Sequence, residues 1–338
     1  MSNDHLPDFV SCLLRPAAYP HPVDEIRLIQ THISYVLLAG EYVYKIKKPV
    51  NFGFLDFTSL VKRRFFCDRE VELNRRLCPD LYLGVVTITK SSTGFMLDGS
   101  GEVVEYAVKM ARMDEAQMMG RIVGAGQLTA ETLDRIVAIL VPFYEHAAGG
   151  AELAAFGTSD AVAVNVLENF QQTAGFVGCP SLSAPQFQRI NHYAMAFLER
   201  GEVFTARLQA GRIRDCHGDL YSANICLSEP ILIFDCIEFN ERFRYCDVAS
   251  DVAFLAMDLD YHGLEELSRH FINRFVEHSG DPGLLVMLDF YKCYRAYVRG
   301  KIGLFTAHAS EVDATTQAAY LAQAGRYFQL AERYAGGA

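Results

Sequence analysis

The chain has 338 residues, 51% of them hydrophobic and 21% charged, a composition that gives ample apolar surface to bury and room for two lobes or domains. Its formal charge of −10 argues against a nucleic-acid binder, because a surface that neutralises phosphates carries a basic excess or stripe. The start shows no basic stretch ahead of an apolar core, no apolar run is long enough to span a bilayer, and the nine cysteines form no C-x-x-C pair; the expectation is a cytoplasmic protein with reduced thiols, no secretory signal and no membrane partner.

Residues 6–14 predict a short helix, ended by the proline-rich stretch Arg15-Pro16-Ala17-Ala18-Tyr19-Pro20-His21-Pro22. Three strands follow at 26–30, 34–38 and 41–47, with Ala39-Gly40 turning the second into the third. Asp56-Phe57-Thr58-Ser59 offers an N-cap for a helix over 60–77 that Cys78-Pro79 stops. Two more strands, at 82–90 and 103–110, flank a glycine-containing hairpin. Beyond Asp114 the apolar period changes from two to about 3.6. Thr129 can cap a helix whose face is Leu133, Ile136, Val137, Leu140, Val141 and Tyr144, with His146 at its end expected to be packed. Further helices are predicted over 161–173 and 184–201.

The most informative segment is Cys216-His217-Gly218-Asp219-Leu220-Tyr221-Ser222-Ala223-Asn224-Ile225, followed by the apolar run Ile231-Leu232-Ile233-Phe234 and Asp235. Phosphoryl transfer asks a protein mainly to orient a hydroxyl and to hold Mg²⁺ against a triphosphate. Asp219 suits the first task. Asn224 and Asp235 suit the second, because hard Mg²⁺ takes oxygen donors and few carboxylates beside the phosphates. Taken alone, His-Gly-Asp favours a polar turn between two strands, with Asp219 and Asn224 capping it.

With Asn224 and Asp235 at these offsets, the segment resembles the aminoglycoside phosphotransferase family and its relatives, the choline, fructosamine and methylthioribose kinases, His-Gly-Asp standing where protein kinases carry His-Arg-Asp. The segments Phe52-Gly53-Phe54-Leu55-Asp56-Phe57 and Leu73-Asn74-Arg75-Arg76-Leu77-Cys78-Pro79-Asp80-Leu81-Tyr82-Leu83-Gly84-Val85 are similar to a bacterial subgroup often fused to a P-loop ATPase. No G-x-x-x-x-G-K-[ST] occurs in this chain, so that second ATPase is not expected in it.

The resemblance implies an α+β, bilobal protein-kinase-like fold. Residues 1–112 would form a small antiparallel-sheet lobe, and 113–338 a mainly helical lobe carrying the catalytic loop, the metal loop and the acceptor site. It further implies that Lys45 grips the phosphates, with Lys47 on the same strand face in reserve, and that Glu70, in a row with Phe66 and Asn74, fixes that lysine. No glycine-rich loop is present; Ser34 in Thr31-His32-Ile33-Ser34 would help cradle phosphates. Met110 and Arg112 would lie at the adenine edge. His217 accompanies Asp219 in the catalytic loop, and Asp251 would support that loop from the next helix. Glu238 reads either as a water-mediated metal or acceptor contact or as a solvated turn residue. Arg295 and Arg299 share a helical row with Tyr291 where the family builds its acceptor pocket, and Arg suits carboxylate or phosphate recognition.

The expected activity is transfer of the γ-phosphoryl group of ATP or GTP, with Mg²⁺, to a hydroxyl of a small-molecule acceptor, an anionic or sugar-like one. A non-catalytic nucleotide-binding module and a protein Ser/Thr kinase are the alternatives; no Ala-Pro-Glu activation apparatus is visible for the latter.

Overall fold

A computed structural model describes residues 6–92, 94–309 and 312–336, and the chain divides into two units, one of residues up to 118 together with 224–241, the other of 119–223 and the residues from 242 on. The first opens with helix α1 (Asp8–Leu13) and strands β1 (Ile26–Gln30), β2 (Ser34–Ala39) and β3 (Tyr42–Lys47). Helix α2 (Leu60–Asn74) follows, capped by the Ser59 side chain, which accepts the Lys62 N–H. Strands β4 (Tyr82–Ser91), β5 (Gly94–Leu97) and β6 (Glu102–Ala111) complete an antiparallel sheet in the order β1-β2-β3-β6-β4-β5. The predicted hairpin thus holds a strand of its own.

Leu37, Tyr44, Ile46, Ile88 and Ala107 build the core on one sheet face under α1. On the other face α2 packs Cys67 and Val71 against Tyr82, Val108 and Met110. Its inward side also carries charge. Arg63 Nε bonds both Glu105 carboxylate oxygens of β6 at 2.9 and 2.8 Å, a buried pair that fixes the helix on the sheet.

The second unit begins with α3 (Met119–Gly124), α4 (Ala130–His146), α5 (Ala151–Ala154), α6 (Ser159–Thr173), α7 (Ala184–Leu198) and α8 (Gly201–Gln209), then strand β7 (Ile213–Asp215). Thr129 caps α4 as expected. The predicted helix over 184–201 ends at Leu198, and α8 starts beyond Arg200. His146 is exposed at the end of α4, its ring bonded to the Pro142 carbonyl rather than packed inside.

Residues 224–241 return to the sheet unit as the short pair β8 (Ile225–Cys226) and β9 (Leu232–Ile233), whose Leu232 and Phe234 join the core beneath Val108. The expected division after residue 112, with the metal loop in the helical lobe, therefore differs from the observed one. The apolar run ahead of Asp235 draws the loop to the sheet. The helical unit resumes with α9 (Glu241–Arg244), β10 (Tyr245–Asp247), which pairs with β7, and α10 (Val248–Tyr261), α11 (Glu265–Ser279), α12 (Leu284–Ala307) and α13 (Ala314–Tyr334). Buried Arg207 ties α8 to Asp247, the cap of α10, and to Asp281. Among the described residues no helix is long and apolar enough to cross a membrane.

Candidate active site

On the sheet unit, the period of two puts Lys45 and Lys47 of β3 on one face, beneath Glu70 of α2. Glu70 divides its carboxylate between them: Oε1 lies 2.9 Å from Lys45 Nζ and Oε2 accepts from Lys47 Nζ at 2.6 Å. Lys45 also reaches Asp235 Oδ1 at 2.5 Å, and Lys47 pairs with Glu238. The two lysines, reserved as alternatives on sequence grounds, both engage Glu70. Lys47 is buried with Glu238, whereas Asp235 keeps a side chain 42% exposed. Glu238 is accordingly an interior ion-pair partner and not a solvated turn residue. Glu72 points outward to Arg69.

Burial alone would raise the Glu70 carboxyl, but the two lysines hold it down to about 2. Burial opposes charge on Lys45 as well, yet Asp235 and Glu70 raise its pKa well above the ordinary lysine value. Glu238 moves the other way, because its burial and the neighbouring Glu70 charge outweigh Lys47.

The metal-loop backbone is fixed from several sides. Asp235 donates its N–H to the Tyr82 hydroxyl at 3.2 Å, Cys236 donates to Asn74 Oδ1 at 2.8 Å, and Phe234 donates to the Asn224 carbonyl at 3.0 Å. Asp235 sits at φ 64°, a left-handed conformation that Asp tolerates better than most residues. Among the described residues no group of three or more His, Cys, Asp or Glu side chains stands ready to hold a metal by itself. One carboxylate and one amide oxygen, from Asp235 and Asn224, nevertheless fit Mg²⁺, which completes its shell with phosphate and water.

Three sheet-unit expectations need correction. Ser34 is wholly buried opposite Lys47, its hydroxyl without a hydrogen-bond partner, so it does not line an open phosphate loop. Met110, expected to offer its backbone to adenine, lies inside β6 paired with Val43 and Tyr82, its side chain in the core beneath α2. Arg112 gives its N–H to the Glu41 carbonyl and its guanidinium to the Gly40 carbonyl and Glu115, which commits these donors to the β2–β3 turn instead of an adenine edge.

In the helical unit, the loop after β7 is held by α10. Asp251 accepts the His217 N–H at 2.7 Å and the Gly218 N–H at 2.9 Å, and Tyr144 of α4 donates its hydroxyl to the same carboxylate at 3.0 Å. Asp247, not Asp251, is the N-cap of α10, which frees Asp251 for the loop. Gly218 adopts φ 85°, where a side chain would be strained. His217 is wholly buried and accepts the Asp219 N–H on Nδ1 at 3.3 Å. It shapes the loop; a catalytic contact, expected alongside Asp219, does not suit a ring so enclosed. Asp219 itself stays partly exposed.

Arg295 overturns a second expectation. Its guanidinium donates to the Gly218 carbonyl at 2.9 Å and the Ser250 carbonyl at 3.2 Å and lies 3.8 Å from Asp251, so it braces the catalytic loop and has no edge left for an acceptor. Arg299, one turn on, lies over the Tyr221 ring at 4.6 Å. Sequence reading missed Tyr144 and Asp258. The latter, buried on α10, accepts the Ser222 N–H at 3.0 Å. The signal was present: an acid seven residues after Asp251 on a helix otherwise apolar at those positions.

No family model matches the chain. Uncharacterised proteins of Mycobacterium tuberculosis and Mycobacterium bovis are 36% identical over 288 residues, which cover 83% of this chain and 56% of theirs. The chain spans about half the length of the curated relatives it matches. Among solved structures it is similar to a choline/ethanolamine kinase family protein from Mesorhizobium loti, with 14% identity, 94% of each chain covered and a TM-score of 0.49. A glucosamine kinase in complex with glucosamine, ADP and inorganic phosphate gives 15%, 90% of this chain and 75% of that one, and 0.44. An aminoglycoside phosphotransferase from Streptomyces rimosus, in complex with ADP and streptomycin, gives 14%, 87% and 99%, and 0.46.

Proposed function

We propose that the chain is a kinase that transfers the γ-phosphoryl group of ATP or GTP to a hydroxyl of a small-molecule acceptor. The observation that supports this most is the charge arrangement on the sheet unit: one lysine, Lys45, held by a buried glutamate at 2.9 Å and meeting the metal-loop Asp235 at 2.5 Å. A lysine so fixed is a phosphate grip, and its aspartate is a ligand that exchanges the lysine for a metal. Mg²⁺ on Asn224 and Asp235 would neutralise charge on the phosphates.

Asp219 accepts the acceptor's hydroxyl proton while the new O–P bond forms. The bond from the γ-phosphorus to the β–γ bridging oxygen breaks, and ADP or GDP leaves with that electron pair. Asp251, His217 and Arg295 hold the loop that presents Asp219.

Nucleotide turnover with Mg²⁺, measured with and without a pooled metabolite extract, tests the reading. The expected result is ADP release that depends on the extract. Tight nucleotide binding with no extract-dependent release would instead favour a non-catalytic module.

A further inference from the structure

Helix α12 presents three interior cations towards the helical core, and two of them are matched. Lys292 pairs with Asp260 at 2.8 Å, and Arg295 lies against Asp251 and two loop carbonyls. Arg299 is different. No carboxylate of a described residue pairs with it, its Nε is buried without a hydrogen-bond partner, and its guanidinium lies between the faces of Tyr221 and Tyr327, 4.6 and 5.7 Å from their centroids. Arg299 keeps part of its surface in water and meets the Tyr327 hydroxyl, but stacking and a neutral hydroxyl do not replace an anion.

The surroundings are rigid. Tyr221 stacks on Phe254 of α10 at 5.4 Å, and Tyr327 stacks on Tyr261 at 3.9 Å. Asp258 fixes the Ser222 backbone beside Tyr221. Tyr221 lies two residues beyond Asp219, and the field of the Asp219 carboxylate reaches Arg299. Arg299 and Tyr221 both keep partial exposure.

We propose that Arg299 anchors the acceptor, taking one that bears a carboxylate or phosphate beside its hydroxyl. The planar fork of Arg suits either anion, and Tyr221, stacked on Phe254 and lying under the guanidinium, holds that fork in place. This rests on the kinase reading above and narrows it: the acceptor is a hydroxylated anion, not a polycation, since a cation would meet Arg299 as a like charge.

The test uses the whole chain with Mg²⁺ and a non-hydrolysable ATP analogue, and again without nucleotide, followed by thermal shift and calorimetry. One probe set is anionic (glycerate, gluconate, glucose 6-phosphate) and one cationic (ethanolamine, choline, glucosamine). The expected result is that an anionic probe binds and loses about 10-fold or more in affinity in Arg299→Gln, as removal of a charge-assisted hydrogen bond predicts. Arg299→Lys, which keeps the charge and loses the fork, should fall between, and it serves if the glutamine variant does not fold. Binding confined to the cationic set, anion binding equal in the folded variants, or no binding from either set overturns the proposal. Failure of the wild-type chain to bind the ATP analogue would remove the kinase reading; the nucleotide-free titration still tests Arg299.

Discussion

Asp251 and Asp258 stand seven residues apart on α10 and hold opposite ends of the loop that carries Asp219, the first through the N–H groups of His217 and Gly218, the second through that of Ser222. Two helical turns separate them by about 10 Å along the axis, so one rigid element sets the span of the loop. Asp258→Ala leaves the Ser222 N–H without its partner and should cost about 1–3 kcal/mol of stability. Because the loop end then shifts, kcat should fall by up to ~10²-fold while nucleotide KM changes little. Asp251→Ala should be worse, since it also strands Tyr144 and Arg295. Unfolding curves and steady-state kinetics on both variants check the order; equal effects, or a change in nucleotide KM alone, would contradict it.

Asp219→Asn keeps the shape of the side chain and removes its capacity to take a proton. Turnover should drop by at least ~10²-fold, the low end of what a positioned base contributes, with nucleotide affinity retained. Full turnover in the folded variant would exclude Asp219 from proton transfer.

Asp235→Ala acts on a different quantity. It deletes the proposed metal ligand and also frees Lys45, so calorimetry should show Mg²⁺-dependent nucleotide binding weakened while any Mg²⁺-independent component persists. Equal affinity with and without the mutation would remove Asp235 from the metal site.

Glu70 predicts an acid-sensitive term in stability. Its folded carboxyl is held down to about 2, below the ordinary 4.5, so the stabilisation is fully present above pH 4.5 and is lost as pH falls towards 2. The shift corresponds to something on the order of 3 kcal/mol for this fully buried group. Urea unfolding between pH 6 and 3 should show a steeper decline in the wild type than in Glu70→Gln, which starts less stable. Parallel declines would contradict the assignment.

Much of the candidate site was legible because its residues are local in sequence. The spacing of Asp219, Asn224 and Asp235 needs no tertiary information, and the two-residue period of β3 put Lys45 and Lys47 on one face. What failed depended on which atoms the fold consumes. Arg295 looked available for an anion because sequence shows its row on the helix, but not that Gly218 and Ser250 turn their carbonyls towards it. Ser34 and Arg112 were read from loop position, while burial and the β2–β3 turn decide their partners. The unit boundary was placed elsewhere for a related reason: residues 224–241 follow the catalytic loop in sequence, yet Leu232 and Phe234 pack, partly buried, against the sheet's core. Glu238 shows how a tertiary contact changes a residue's meaning, from a turn acid to the buried partner of Lys47.

The most direct test of the kinase account is to follow the phosphoryl group itself. The chain is incubated with Mg²⁺, γ-labelled ATP and a fractionated metabolite pool, and the label is traced through small molecules, protein and inorganic phosphate, with Asp219→Asn in parallel. The account predicts label on a small-molecule alcohol, carried by the wild type and nearly absent with the variant. Label found only as inorganic phosphate or on protein, or transfer undiminished by Asp219→Asn, would contradict it.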